Sequence, residues 1–92
     1  MPTVHLLIKG KVQGVFYRAS AKDEADRLNI TGWVKNTTEG YVEAVASGTQ
    51  EAIDQFIAWC KKGPRKAEVT AVDISSLAEE KFDQFLVIRG SY

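Results

Sequence analysis

At 92 residues the chain has material for one domain with one core, so a single domain over residues 1–92 is expected. Twelve Lys and Arg against twelve Asp and Glu leave no net charge, which removes the broad basic field that draws proteins to nucleic acid or anionic lipid. A single cysteine, Cys60, excludes an internal disulfide, and no apolar run reaches a signal-peptide core or a membrane span; the expectation is a cytoplasmic monomer without nucleic-acid or membrane partners.

Val4 to Lys9 alternates, with Val4, Leu6 and Ile8 on one face and His5, Leu7 and Lys9 on the other. This predicts a strand whose half-polar face is left uncovered. After the stretch Gly10 to Arg18, residues Ala19 to Leu28 predict a helix with Tyr17, Ala21, Ala25 and Leu28 on its apolar stripe. Lys22, Asp23, Asp26 and Arg27 fill its solvated side. Asn29 and Gly32 close it, because both accept the left-handed conformation that ends helices. Gly32 to Asn36 and Tyr41 to Ala46 predict two more strands, joined by a hairpin loop in which Gly40 takes the permissive position. Thr49 caps a second helix whose stripe is Ile53, Phe56, Ile57 and Cys60, and Gly63-Pro64 stops it. Ala67 to Ser75 predicts a fourth strand and Phe85 to Arg89 a short fifth, with polar Ser76 to Lys81 between them.

The order β-α-β-β-α-β with a short extra strand predicts an α+β, ferredoxin-like sandwich, an antiparallel sheet with both helices on one face. Right-handed crossovers make the first two strands parallel and place the third between them. Their C-terminal ends then share one edge of the sheet. The glycine loop leaves the first of these ends, and Asn36 sits at the second.

A strand, two glycines four apart and a helix with an arginine in its first turn can form an anion site. Positive-φ glycines let the N–H groups of Gln13, Gly14, Val15, Phe16 and Tyr17 curl toward one point. The helix start adds unpaired N–H groups, and Arg18 adds a planar fork suited to phosphate. The alternative is an ordinary strand-to-helix loop with a surface arginine. Neither the P-loop nor the dinucleotide fingerprint is present, since Val15 follows Gly14 and no third glycine occurs. Asn36 offers an acceptor and a donor that can orient a water but not deprotonate it; its alternative is a turn asparagine.

Five residues at about 3.3 Å each put His5 roughly 16 Å from the loop, too far for a general base, so a surface or edge role is expected. Cys60 lies on an apolar stripe, which predicts a buried, inert thiol. Trp33 and Trp59 flank core-facing positions and are expected to pack. Lys9, Lys11 and Lys35 either add positive potential near the site or are solvated strand lysines. No cluster has metal-ligand spacing.

Gly10-Lys11-Val12-Gln13-Gly14-Val15-Phe16-Tyr17-Arg18 resembles the acylphosphatase signature Gly-Arg/Lys-Val-Gln-Gly-Val-x-Phe/Tyr-Arg. Gly32-Trp33-Val34-Lys35-Asn36, followed by Gly40 and Val42, looks like the second signature of that family. The resemblance spans nearly the whole chain and becomes diffuse after Pro64. It implies an α/β sandwich that hydrolyses carboxyl–phosphate anhydrides of small acyl phosphates without metal or cofactor. Carried over by position, Arg18 binds the phosphoryl group beside the loop amides and Asn36 positions the attacking water. Lys11 stands where arginine is more frequent, and Glu39 where aspartate is common. Two other classes compete: an RNA-binding module of the same topology, and a regulatory domain that holds an anion without turnover. The first needs aromatics exposed on the central strands, and His5 to Ile8 and Tyr41 to Val45 offer one.

Overall fold

Alternation within the first strand sets the side on which the core forms. The structure, a computed structural model, describes residues 1–89. Its elements in order are β1 (Thr3–Lys11), α1 (Tyr17–Arg27), β2 (Thr31–Asn36), β3 (Val42–Ser47), α2 (Gln50–Lys62), β4 (Glu68–Leu77) and β5 (Phe85–Ile88). Val4, Leu6 and Ile8 of β1 are buried with Val34, Val42, Ala44 and Ala46 beneath the two helices. The helices contribute Tyr17, Ala21 and Ala25 from α1 and Ile53, Phe56 and Cys60 from α2. Among the described residues no helix is long and apolar enough to cross a membrane.

The strand order is β4-β1-β3-β2-β5. β3 runs antiparallel to both β1 and β2, so the first two strands are parallel with the third between them, as expected. The sheet is mixed rather than wholly antiparallel, because β5 pairs with β2 in parallel. The path of the chain explains this. β4 ends beside Thr3, and the segment after it crosses the end of the sheet, where Glu80 N–H donates to Thr3 Oγ1 at 3.1 Å and Ser47 Oγ donates to the Glu80 carbonyl at 3.1 Å. β5 therefore enters at the starting end of β2 and has to run in the same direction.

Two sequence expectations are corrected and a third is narrowed. β1 continues through Gly10 and Lys11, which pair with Val69 and Glu68 after a register shift at Lys9/Gly10. Gly10 thus serves the sheet and not the loop: at φ +123°, a Cβ there would stand 2.1 Å from the Glu68 carbonyl oxygen. Gly32 lies in β2, as its strand assignment expected, and takes no part in ending α1, which Asn29, at φ 58°, closes. His5 keeps the surface role expected of it, on the helix-free face, but is not at an edge of the sheet. It lies half-buried on an inner strand, its Nε2 2.7 Å from Glu43 Oε2.

The uncovered face of the sheet is laced with charge. Lys35 Nζ lies 3.7 Å from Glu43 Oε1 and Lys9 Nζ 3.0 Å from Asp73 Oδ2. Lys9 also sits over the Tyr41 ring at 5.6 Å and Lys35 over the Trp33 ring at 5.4 Å. Trp33 therefore packs on this face, under a lysine, while Trp59 packs against Tyr17 and Phe56 on the helix side.

Candidate active site

Beyond Lys11 the chain leaves the sheet, and its side chains alternate between core and solvent. Val12 and Val15 are buried and pin the loop to the core, while Gly14 and Phe16 are exposed. Gly14 adopts φ +74° and Phe16 φ 62°, ψ 27°, so two left-handed residues turn the backbone within three positions. A left-handed conformation costs a residue with a Cβ roughly 1–2 kcal/mol. Phe16 bears that cost while its ring is 81% exposed.

Helix α1 starts at Tyr17, directly after this turn. Phe16, its N-cap, makes no side-chain cap bond, and the first turn holds no acidic residue. The first N–H groups of a helix have no intrahelical acceptor, so this end presents donors and the positive end of the helix dipole. The hydroxyl of buried Tyr17 donates to the Cys60 carbonyl at 2.7 Å and ties the start of α1 to α2. Arg18, next in the chain, donates from Nη1 to the Ile88 carbonyl at 3.1 Å.

Asn36 is the last residue of β2 and shares the helix-side face with buried Val34. One cavity of about 620 Å³ is lined by Gly14, Phe16, Tyr17, Arg18 and Asn36. The structure thus brings Arg18 and Asn36 to one cleft, together with three of the five expected cradle residues. Gln13 and Val15 contribute differently. Val15 is buried in the core, and the Gln13 side chain reaches the β2–β3 turn, donating to the Thr37 and Tyr41 carbonyls at 2.8 Å each.

Sequence reading missed part of the wall. Val87 of β5 and Arg89 just beyond it line the cleft, and so do Lys22 and Asp23 of α1. Their spacing on α1 marked the last two as merely solvated, and nothing local in β5 signalled which strand it would join. Lys9 and Lys35 are engaged on the opposite face of the sheet, where the hydrogen bond to Asp73 raises the Lys9 pKa. Burial pushes the Cys60 thiol up to about 12 and raises the Tyr17 hydroxyl as well, so both stay protonated near neutrality. Among the described residues, no group of three or more His, Cys, Asp or Glu is placed to hold a metal ion.

Strand order, helix layer and cleft define a small two-layer α/β sandwich with an arginine-bearing pocket beyond one edge of its sheet. The sequence model of the acylphosphatase family matches residues 4–87. An acylphosphatase of Methylococcus capsulatus is 48% identical over 90 residues, which cover 97% of this chain and 98% of that protein. The structure of an acylphosphatase from Coxiella burnetii matches with a TM-score of 0.92 at 39% identity, covering 95% of this chain and 92% of that one. The acylphosphatase from Bacillus subtilis matches at 0.93 and 31% identity, with 96% and 99% covered. The chain belongs to the acylphosphatase family, and its enzyme class is that of the acyl phosphate hydrolases.

Proposed function

We propose that the protein cleaves the carboxyl–phosphate anhydride of small acyl phosphates, with the phosphoryl group held by the amides of Gln13 to Tyr17 and by Arg18, and the water oriented by Asn36. The observation that carries this reading is the single cleft lined by both Arg18 and Asn36 beside the uncapped start of α1. Water oxygen bonds to phosphorus as the bond from phosphorus to the carboxylate oxygen breaks. The carboxylate leaves as a stable anion, and the proton of the water ends on inorganic phosphate. Phosphoryl transfer passes through a loose transition state with charge on the equatorial oxygens and the leaving group. Preformed amides and one guanidinium stabilise that charge in the place where other enzymes use a metal ion.

No general acid is needed for a carboxylate leaving group, and the proposed roles include none. A guanidinium keeps its protons in proteins. His5 lies on the other face of the sheet, engaged with Glu43. We further propose a cytoplasmic monomer, acting without metal or cofactor on a small-molecule substrate and without nucleic-acid or membrane partners. The reading as an RNA-binding module is disfavoured by the His5–Glu43 pair, which occupies the middle of the face where such modules stack bases. The regulatory reading leaves Asn36 without a task.

The test is kcat/KM for benzoyl phosphate against a simple alkyl phosphate, each with and without a chelator. Alkoxide departure lacks the proton donation that typically contributes 10²–10⁴-fold, so the alkyl ester is expected to react slower by at least about that factor. Comparable rates for the two, or loss of activity with the chelator, would overturn the proposal.

A further inference from the structure

The Gln13 side chain departs from its own loop and crosses to the β2–β3 turn. Its two bonds, to the Thr37 and Tyr41 carbonyls, span 24 and 28 residues of sequence. A side-chain amide has two N–H donors. Both acceptors belong to the segment that begins immediately after Asn36.

That segment also closes on itself. Thr37 N–H donates to the Tyr41 carbonyl at 2.9 Å, Tyr41 N–H to Thr37 Oγ1 at 3.1 Å, and Gly40 N–H to the Thr37 carbonyl at 3.2 Å. Each carbonyl that Gln13 reaches thus already accepts one bond from within the turn, and Gln13 uses the second lone pair of each. The pairing of β2 with β3 ends at Asn36 and Val42, so Asn36 stands where the ladder stops. Sheet hydrogen bonds hold it on one side. On the other side, its next residue is held by a side chain that originates in the phosphate loop.

We propose that Gln13 is a positioning residue, which acts through Thr37 to set the Asn36 amide relative to the phosphoryl cradle. The inference rests on the proposed role of Asn36 in orienting water. A glutamine that merely stabilised a hairpin could come from any nearby element. This one joins the two halves of the site directly, running from the loop to the residue that follows Asn36. Misplacing a reacting group by 1 Å can cost ~10²-fold in rate, so a short rigid link between cradle and water-orienting group bears directly on kcat.

The experiment is a double-mutant cycle on the intact protein. Gln13→Met keeps the length of the side chain and removes both donors. Its kcat for benzoyl phosphate is expected to fall at least about tenfold. The inhibition constant for inorganic phosphate should stay within about twofold, because the cradle amides belong to the backbone. In the Asn36→Ala background, the same Gln13→Met change should lower kcat by less than about twofold, since the group it positions is gone. An equal loss in both backgrounds, a phosphate inhibition constant that rises with the rate loss, or an unchanged kcat in the folded single variant would each overturn the proposal. Gln13→Asn is carried through the same cycle: it keeps the amide but is one methylene too short to reach both carbonyls, so misfolding of the Met variant leaves the test in place. Asn36→Ala by itself reports on the underlying reading, and an unchanged kcat there would remove the water-orienting role before any Gln13 variant is measured.

Discussion

The two helices begin in opposite ways. Ahead of α2 stands Thr49 in an extended conformation, its Oγ1 accepting from the Ala52 N–H at 3.1 Å, and the first turn carries Glu51. Both features answer the needs of a helix start: an orphan donor gains an acceptor, and a carboxylate faces the positive end of the dipole. Ahead of α1 stands Phe16, left-handed, with no side-chain bond to the helix and no acid in the turn that follows. Relative to α2, α1 forgoes about 1 kcal/mol of capping and takes on roughly 1–2 kcal/mol of left-handed backbone. The start of α2 is completed by its own chain. That of α1 opens on the cleft beside Arg18, which is the arrangement an acceptor from outside requires.

The largest effects should come from the cleft at α1. On the proposed reading, Arg18→Gln removes a charge felt by substrate and transition state alike. Phosphate affinity and kcat/KM should fall together, the latter by at least the ~10²–10³-fold that one oxyanion donor carries. Asn36→Ala should leave inhibition by inorganic phosphate in place while kcat drops steeply, because positioning alone is lost. Matching losses of phosphate affinity in the two variants would erase the division of labour between them.

Phe16→Asp tests the comparison more sharply, by giving α1 a start like that of α2. Aspartate tolerates the left-handed conformation and adds about 0.3–1 kcal/mol of favourable dipole interaction. It also places a carboxylate where the phosphoryl group is proposed to sit, so phosphate affinity should weaken at least about tenfold while the denaturation midpoint holds or rises. Undiminished affinity would mean that the anion binds elsewhere. Thr49→Ala makes the reciprocal change and should have the smallest effect. It removes the cap of α2 and should cost ~1 kcal/mol in denaturant unfolding, with kcat/KM unaltered. A parallel loss of activity would show that this helix start also serves the site.

Much of the fold could be read from neighbouring residues. The alternation of Val4, Leu6 and Ile8 marked the buried face of β1, and the stripe ending at Cys60 marked that of α2. Thr49 announced its cap because a hydroxyl three residues before the donor it serves is a local relation. Asn29 closes α1 as expected, and Arg18 and Asn36 line one cleft because the crossover rule puts the ends of β1 and β2 at the same edge. Gly10 was misread for an instructive reason. A positive-φ glycine looks the same in sequence whether the backbone curls around a ligand or clears a neighbouring strand, and only β4 pressing on Gly10 distinguishes the two. Trp33 packs as expected, beside core-facing Val34, but its cover is a lysine on the helix-free face.

By itself the sequence determined the order of the elements, the faces buried by β1, α1 and α2, the positive-φ glycine at position 14 and the two side chains around which the cleft forms. These follow from periodicity, from caps and from backbone preferences that operate over a few residues. Tertiary structure alone decided that β5 runs parallel to β2, that the Ile88 carbonyl receives Arg18 across 70 residues, and that the Gln13 amide spans to Thr37 and Tyr41. The physical reason is that a hydrogen bond between distant segments depends on where their elements dock, and docking is settled by the whole core and the path of the chain between them. A glutamine carries the same two donors wherever it stands, and its acceptors exist as a pair only after the hairpin has folded against the loop.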